Sequence, residues 1–246
     1  MPLTDRQLEP ELMDDPDIDA GSHDHALEGL ARLNRISNAS TPFREELLRI
    51  FRQPTTMGTD APLNVLDLAT GSGDLVVELE RWRRGLPDAP PVRWLACDRS
   101  THALQRARDR AAGIDLDLQT VRCDATTDSL PDCDVVLCSL FLHHLESETA
   151  TDVLRRMTRT ARIGGIVTDL KRSSVGLSLA WLMPRLFTRS RVVHADAVGS
   201  VRAAFSTEEF ARIVSDAAIP NPFIFHCFPE RQGVRWRRDP LPENAS

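Results

Sequence analysis

The segment VLDLATGSGDL, residues 65–75, constrains the fold more than any other part of the chain. An apolar run from Leu63 to Leu68 predicts a short buried strand with one acid, Asp67, near its end. Ala69-Thr70-Gly71-Ser72-Gly73 then predicts a turn, and a helical pattern starts at once. Strand, glycine turn and helix N-terminus in succession make a cradle for a nucleotide-like ligand, because glycine admits positive φ and lets a ligand approach the backbone. A dinucleotide fingerprint needs a third glycine where this chain has Val76, and no Gly-Lys-Ser/Thr follows to make a P-loop. Taken alone, the segment also fits a plain strand-to-helix turn.

Four further segments extend the pattern. Val92 to Cys97 reads as a second buried strand ending at Asp98, and Leu118 to Cys123 as a third, followed by Asp124-Ala125. Asp134 to Ser139 reads as a fourth, followed by Leu140-Phe141-Leu142-His143-His144-Leu145. A fifth runs from Ile166 to Asp169 after Gly164-Gly165. Helical spacing over 74–84, 100–112 and 147–162 supplies the crossovers that parallel strands require. Polar residues ending successive parallel strands line one crevice, where a carboxylate such as Asp98 can accept from ribose hydroxyls. Outside this series, a helix is expected over 25–36, and a second opens with Thr41 as N-cap and Pro42 at its first position. Ser206 and Glu209 form a capping box for a helix over 206–218. Phe223 to Phe228 and Gly233 to Arg237 read as a closing antiparallel hairpin.

The series LDLATGSGD (66–74), ACDRS (96–100), RCDAT (122–126), CSLFLHHL (138–145) and ARIGGIVTDL (161–170) resembles the class I methyltransferases that use S-adenosylmethionine (AdoMet). Within them it looks nearest to small-molecule enzymes similar to ubiquinone and menaquinone methyltransferases. The resemblance covers roughly residues 30–230. It implies an α/β architecture: a Rossmann-like seven-stranded sheet, mostly parallel with one antiparallel C-terminal strand, and helices on both faces. It places Ala69, Thr70, Gly71 and Gly73 around the methionine part of the cofactor, with Asp67 fixing the turn and the amino group. Asp98 is expected at the ribose hydroxyls, Arg99 and Ser100 beside the adenine, Asp124 and Ala125 at the adenine amino group, and Ser139 and Leu140 below the methyl group. Asn34, Arg35 and Ser37, in LNRISNASTPF (33–43), are candidates for the AdoMet carboxylate, or else cap a helix and a surface turn.

The acceptor side is less legible. After the fifth strand the resemblance places a substrate lid, here 171–205. Trp181, Leu182, Met183, Leu186 and Phe187 give it an apolar surface, and Lys171, Arg172, Arg185, Arg189, Arg191 and Arg202 a positive one. The expected occupant is an apolar molecule with a negative or acidic group, touching Arg172, Trp181, Arg191 and His194; a packed helix with a solvated basic face is the alternative. Pro184 should kink or split any helix there. His144 and then His143 are candidates for a general base, and no metal is expected.

The implied activity is methyl transfer to oxygen of a small, fairly apolar phenolic or polyketide-like metabolite. Carbon methylation of a quinone precursor stays open. An NAD-linked oxidoreductase conflicts with Val76, and a non-catalytic AdoMet-binding protein with the intact acidic strand ends. A net charge of −6 with interspersed signs argues against a nucleic-acid partner. Five cysteines without C-x-x-C spacing suit a reducing, cytoplasmic setting, and no apolar run is long enough to span a bilayer. A homodimer stays open. The expected organisation is an acidic arm over 1–22, loosely held, and one domain over 23–246, with a helical cap at 23–55 ahead of the sheet.

Overall fold

A computed structural model describes residues 3, 5–9, 11–14, 19–53 and 61–238. Seven strands form one sheet: β1 (Leu63–Leu68), β2 (Val92–Asp98), β3 (Gln119–Arg122), β4 (Cys133–Ser139), β5 (Ala161–Leu170), β6 (Phe223–Cys227) and β7 (Arg231–Arg237). Their order is β3-β2-β1-β4-β5-β7-β6, and β7 alone runs antiparallel to its neighbours β5 and β6. The order reverses at β1, which pairs with β2 on one side and β4 on the other. A parallel doubly wound sheet opens its ligand crevice at such a switch point.

The helices cover both faces. Along β4, Val136 and Cys138 pack towards α5 (Ser147–Thr160) and α8 (Thr207–Asp216), whereas Val135 and Leu137 pack towards α2 (Thr41–Phe51), α3 (Asp74–Arg84) and α4 (Thr101–Ala112). Strand alternation thus divides one apolar run between two cores.

Several boundaries differ from expectation, each for a local reason. Ser40, not Thr41, precedes α2; its hydroxyl donates to Glu78 (2.7 Å) instead of capping. The glycine pair lies inside β5, which starts at Ala161 and shortens the expected 147–162 helix. A Cβ on Gly165 would stand 2.6 Å from the Trp236 ring of β7, so the pair admits that ring. The capping box of Ser206 and Glu209 is present. Pro184 sits within α6 (Ser174–Phe187), which continues through it to Phe187 rather than splitting.

The insert forms two helices, α6 and α7 (Arg191–Ala203), and α1 (Ala20–Ile36) packs on both. A Cβ on Gly29 of α1 would lie 2.8 Å from the Thr188 hydroxyl oxygen, which shows how closely α1 approaches the α6–α7 link. The loose arm needs correction at its described residues. The Arg6 guanidinium donates to the carbonyls of Ala203, His143 and Leu145 and lies 3.7 Å from the Phe205 ring centre. The buried Asp196 carboxylate of α7 accepts from the backbone N–H groups of Leu12 and Met13 (2.9 and 3.0 Å), at the start of a short 3-10 turn, Leu12–Asp14. Residues 1, 2, 4, 10 and 15–18 of the predicted arm lie outside the described residues. No described helix is long and apolar enough to cross a membrane.

Candidate active site

A cavity of about 730 Å³ opens along the carboxyl edge of the sheet and runs under α6, α7, α1 and the docked arm. Its first half is made by the ends of β1, β2 and the β3–β4 link. Ala69 and Gly71 turn the chain with φ of 55° each. A Cβ on Gly71 would meet nothing within 4 Å, so open space lies directly before this backbone. Asp98 Oδ2 accepts from the Gly71 N–H and Oδ1 from the Ser100 N–H, both at 2.9 Å. That holds the glycine turn and the end of β2 in one rigid unit. Asp124 Oδ1 accepts from the Thr126 N–H (2.8 Å) and hydroxyl (2.6 Å), and these bonds hold its carboxyl below the usual carboxylate range. Asp67 is buried and accepts from the Thr70 hydroxyl (2.6 Å). Burial pushes its carboxyl up to about 7 against that bond, with the charges of Asp98 and Asp74 adding to the rise.

Asp67, Ala69, Thr70, Gly71, Asp98, Arg99, Asp124, Ala125, Ser139 and Leu140 all line this cavity. Gly73 and Ser100 do not. Gly73 has φ of 74° and a Cβ there would lie 2.8 Å from that of Ala107, so it lets α3 approach α4. The Ser100 hydroxyl caps α4 by accepting from the Ala103 N–H (3.2 Å). Both residues, expected at the ligand, stand outside this lining and make these scaffold contacts.

The second half is centred on the β4–α5 loop. Leu140 has φ of 56° and its N–H donates to Thr168 O (2.9 Å), which bends the chain so that His143 and His144 reach the cavity. His143 is 3% exposed. Its backbone N–H donates to Asp169 Oδ2 (2.9 Å), and its Nδ1 lies 2.6 Å from Asp169 Oδ1. An ionised carboxylate only accepts, so Nδ1 carries the proton and Nε2 faces Glu11 of the arm at 3.8 Å. Burial alone depresses the basicity of His143. The Asp169 charge and hydrogen bond, with Glu11, outweigh it and raise the imidazole to about 9. The His144 ring lies 4.1 Å from that of His143, and its Nδ1 is 3.9 Å from Glu11. Glu11, His143 and His144 together offer one atom each within 4.8 Å of one another.

The four predicted acceptor contacts lie outside this cavity's lining. Arg172 is buried as a clamp, donating to the carbonyls of Leu3 and Ala204 and to Glu209. Trp181 is 55% exposed, with the Arg185 guanidinium 4.5 Å from its ring. Arg191 opens α7 on the exposed side, and His194 Nε2 lies 2.9 Å from Thr188 O. Leu179, Ala180, Met183 and Pro184 of α6, with Ala197 and Ser200 of α7, line the cavity in their place. Asn34 and Ser37 line it too, whereas Arg35 does not. Sequence reasoning missed Glu11 and Arg231, which both line the cavity. Neither sits in a motif, so only the contacts across the fold find them.

Residues 65–165 match a family described as a methyltransferase domain. No curated protein sequence matches the chain. Among solved structures, an O-methyltransferase family 2 protein from Planctomyces limnophilus in complex with apigenin is similar, with a TM-score of 0.60 and 17% identity over 92% of this chain and 63% of its own. A magnesium protoporphyrin IX methyltransferase from Synechocystis PCC 6803 with bound SAH is similar with a TM-score of 0.56 and 16% identity, over 92% of this chain and 90% of its own. The plantazolicin methyltransferase BpumL, with SAH and a triazolic desmethylPZN analogue, has a TM-score of 0.64 and 16% identity, over 92% and 93%. The chain spans 59% to 64% of the length of the O-methyltransferase-like structures it matches.

Proposed function

We propose that the chain, whose residues 65–165 match a methyltransferase domain, is an AdoMet-dependent methyltransferase that transfers the methyl group to a hydroxyl oxygen of a small, fairly apolar metabolite of phenolic or polyketide-like type. The observation that carries this reading is one continuous cavity joining the acidic strand ends to a carboxylate-oriented histidine under an apolar lid. The complex of a neighbouring fold with apigenin, a phenol, supports the acceptor class.

The residues present fit the cofactor. Open space before Gly71 admits a ligand against the backbone, and Asp98 and Asp124 stand at successive strand ends. Asp98 would accept from the ribose hydroxyls and Asp124 from the adenine amino group, while Asp67 would face the amino group across the turn. When bound, AdoMet supplies a methyl group already made electrophilic by its sulfonium. The protein's part is to align the acceptor oxygen, exclude water and take up a proton.

His143 is assigned the proton. Asp169 holds its Nδ1–H, which leaves Nε2 to exchange with an acceptor hydroxyl. An imidazole near 9 is close to a phenol near 10, so transfer between them is nearly balanced. At neutral pH most His143 is protonated, and turnover should climb as pH rises towards 9. His144 lies tilted against it, with ring centres 4.1 Å apart, and lines the cavity. Glu11, His143 and His144 are read as proton machinery rather than as a metal site.

The test is direct. Labelled AdoMet is incubated with the protein and with apigenin or simpler phenols, and products are separated and their new methyl located by NMR. Label on phenolic oxygen is the expected result. Label on ring carbon, or on no acceptor while AdoMet binds, would contradict the reading.

A further inference from the structure

Arg231 opens β7 opposite Leu170 and is 6% exposed. Its Nη2 donates to Asn34 Oδ1 and to Ser37 Oγ, both at 3.1 Å and both neutral acceptors. Its Nε and Nη1 are sealed from solvent with no acceptor. Other buried arginines here are matched: Arg172 by Glu209 and Arg237 by Glu46. Arg231 has no carboxylate within ion-pair distance among the described residues. Its chain neighbour Glu230 accepts from the Ser173 hydroxyl (2.6 Å) and pairs with Lys171 (2.9 Å). Asp169 is committed to His143, and it and Cys227 act on Arg231 only through space. A buried guanidinium without a counter-ion is costly to keep, and a ligand anion removes that cost.

Position decides which ligand. Arg231 lines the same cavity as His143, Asn34 and Ser37. In the sheet, β4 and β5 stand between β7 and the glycine-turn strand β1. Three strand spacings put β7 roughly 14 Å from β1. Arg231 therefore leaves the sheet one strand beyond β5, which carries Asp169, the partner of His143, and three strands from the glycine turn. The same cavity is lined by the apolar side chains of Met183, Pro184 and Leu33. We infer that Arg231, steadied by Asn34 and Ser37, is an anion subsite that selects acceptors carrying a carboxylate beside an apolar body. This inference rests on the methyltransferase reading and sharpens its substrate class. It also relocates the positive charge that the sequence suggested in the lid: Arg172 and Arg191 are outside the cavity lining, and Arg231 lies within it.

The experiment uses 2-naphthoate and its neutral counterpart 2-naphthamide as probes, titrated into the full chain saturated with S-adenosylhomocysteine. Wild type should bind the naphthoate about tenfold or more tightly than the amide. Arg231→Met should remove that preference and leave S-adenosylhomocysteine affinity unchanged, and Arg231→Lys should restore part of it. Equal binding of the two probes by wild type, no naphthoate binding at millimolar concentration, or a preference retained in Arg231→Met would overturn the inference. Loss of S-adenosylhomocysteine binding in Arg231→Met, with Arg231→Lys restoring it, would assign the arginine to the cofactor carboxylate and equally overturn it. Failure of wild type to bind S-adenosylhomocysteine at all would instead remove the methyltransferase reading beneath it. The wild-type comparison needs no substitution, so it stands even if Arg231→Met does not fold.

Discussion

The two halves of the cavity are assembled by different means. At the acidic edge the functional side chains are fixed mostly by near neighbours in the chain: Asp67 by Thr70, Asp98 by Ser100 and Asp124 by Thr126, with one longer bond from Gly71 to Asp98. On the histidine side the contacts cross the whole molecule. Arg6 reaches the carbonyls of His143 and Leu145, Glu11 stands beside His143 and Ser200, and Arg231 reaches Asn34 and Ser37. A half built by local turns is shaped by the strand-turn-helix units themselves. A half built by distant segments depends on the arm, the lid and β7 docking together. The two halves should therefore fail separately, with cofactor affinity tracking the first and turnover the second.

The largest effect should come from His143. Replacing it by Gln is expected to lower turnover by roughly 10² to 10⁴, the usual contribution of a general base, with S-adenosylhomocysteine affinity unchanged. Parallel loss of both in rate and calorimetric measurements would erase the distinction between the halves. Next comes Asp98→Ala, which should weaken S-adenosylhomocysteine binding about ten- to a hundredfold by removing charge-assisted bonds. Unchanged affinity would remove the ribose assignment.

The arm tests the boundary between the halves. Glu11→Gln removes a charge that raises the His143 imidazole, so the pH at which turnover reaches half its maximum should fall below about 9. Cofactor affinity should not move, and a fixed profile would show that Glu11 does not act on the base. The same coupling sets a stability window. The His143 imidazole is near 9 in the folded chain and 6.5 ordinarily. Its contribution is thus full below about 6.5 and is lost as pH rises through 9. Thermal midpoints should decline over that range, and less so in His143→Gln.

A smaller effect concerns Asp67. Its carboxyl near 7 is half protonated in the free protein, and the cofactor's ammonium favours the ionised form. Binding at pH 7 should release part of a proton, and affinity should rise by less than about tenfold between pH 6 and 8. Calorimetry in buffers of different ionisation enthalpy reads this directly, and no buffer dependence would place Asp67 away from the amino group. The smallest expected effect is none: EDTA should leave turnover unchanged, and chelator sensitivity would reassign Glu11, His143 and His144 to a metal.

How much was legible follows the same division. The sheet was readable because Leu63–Leu68 and Val92–Asp98 are apolar runs closed by an acid, and those signals lie within a few residues. The capping box at Ser206 was readable for the same reason. Gly73 and Ser100 stand outside the cavity lining, and turn residues look alike in sequence whether they face a ligand or pack a helix. Arg172 illustrates the harder failure. Its charge pointed to a ligand, yet Ala204, Leu3 and Glu209 consume it, and no local pattern announces partners so far along the chain. Glu11 and Arg231 carry no motif at all.

The central claim is that the acidic edge holds AdoMet independently of the acceptor half. Calorimetric titration of AdoMet into the wild-type chain and into a chain lacking residues 1–14 tests it most directly. Saturable 1:1 binding in both, with Kd values in the roughly 1 µM to 1 mM range and within about twofold of each other, is the predicted result. Absence of binding in the wild type, or its loss on removing the arm alone, would contradict it.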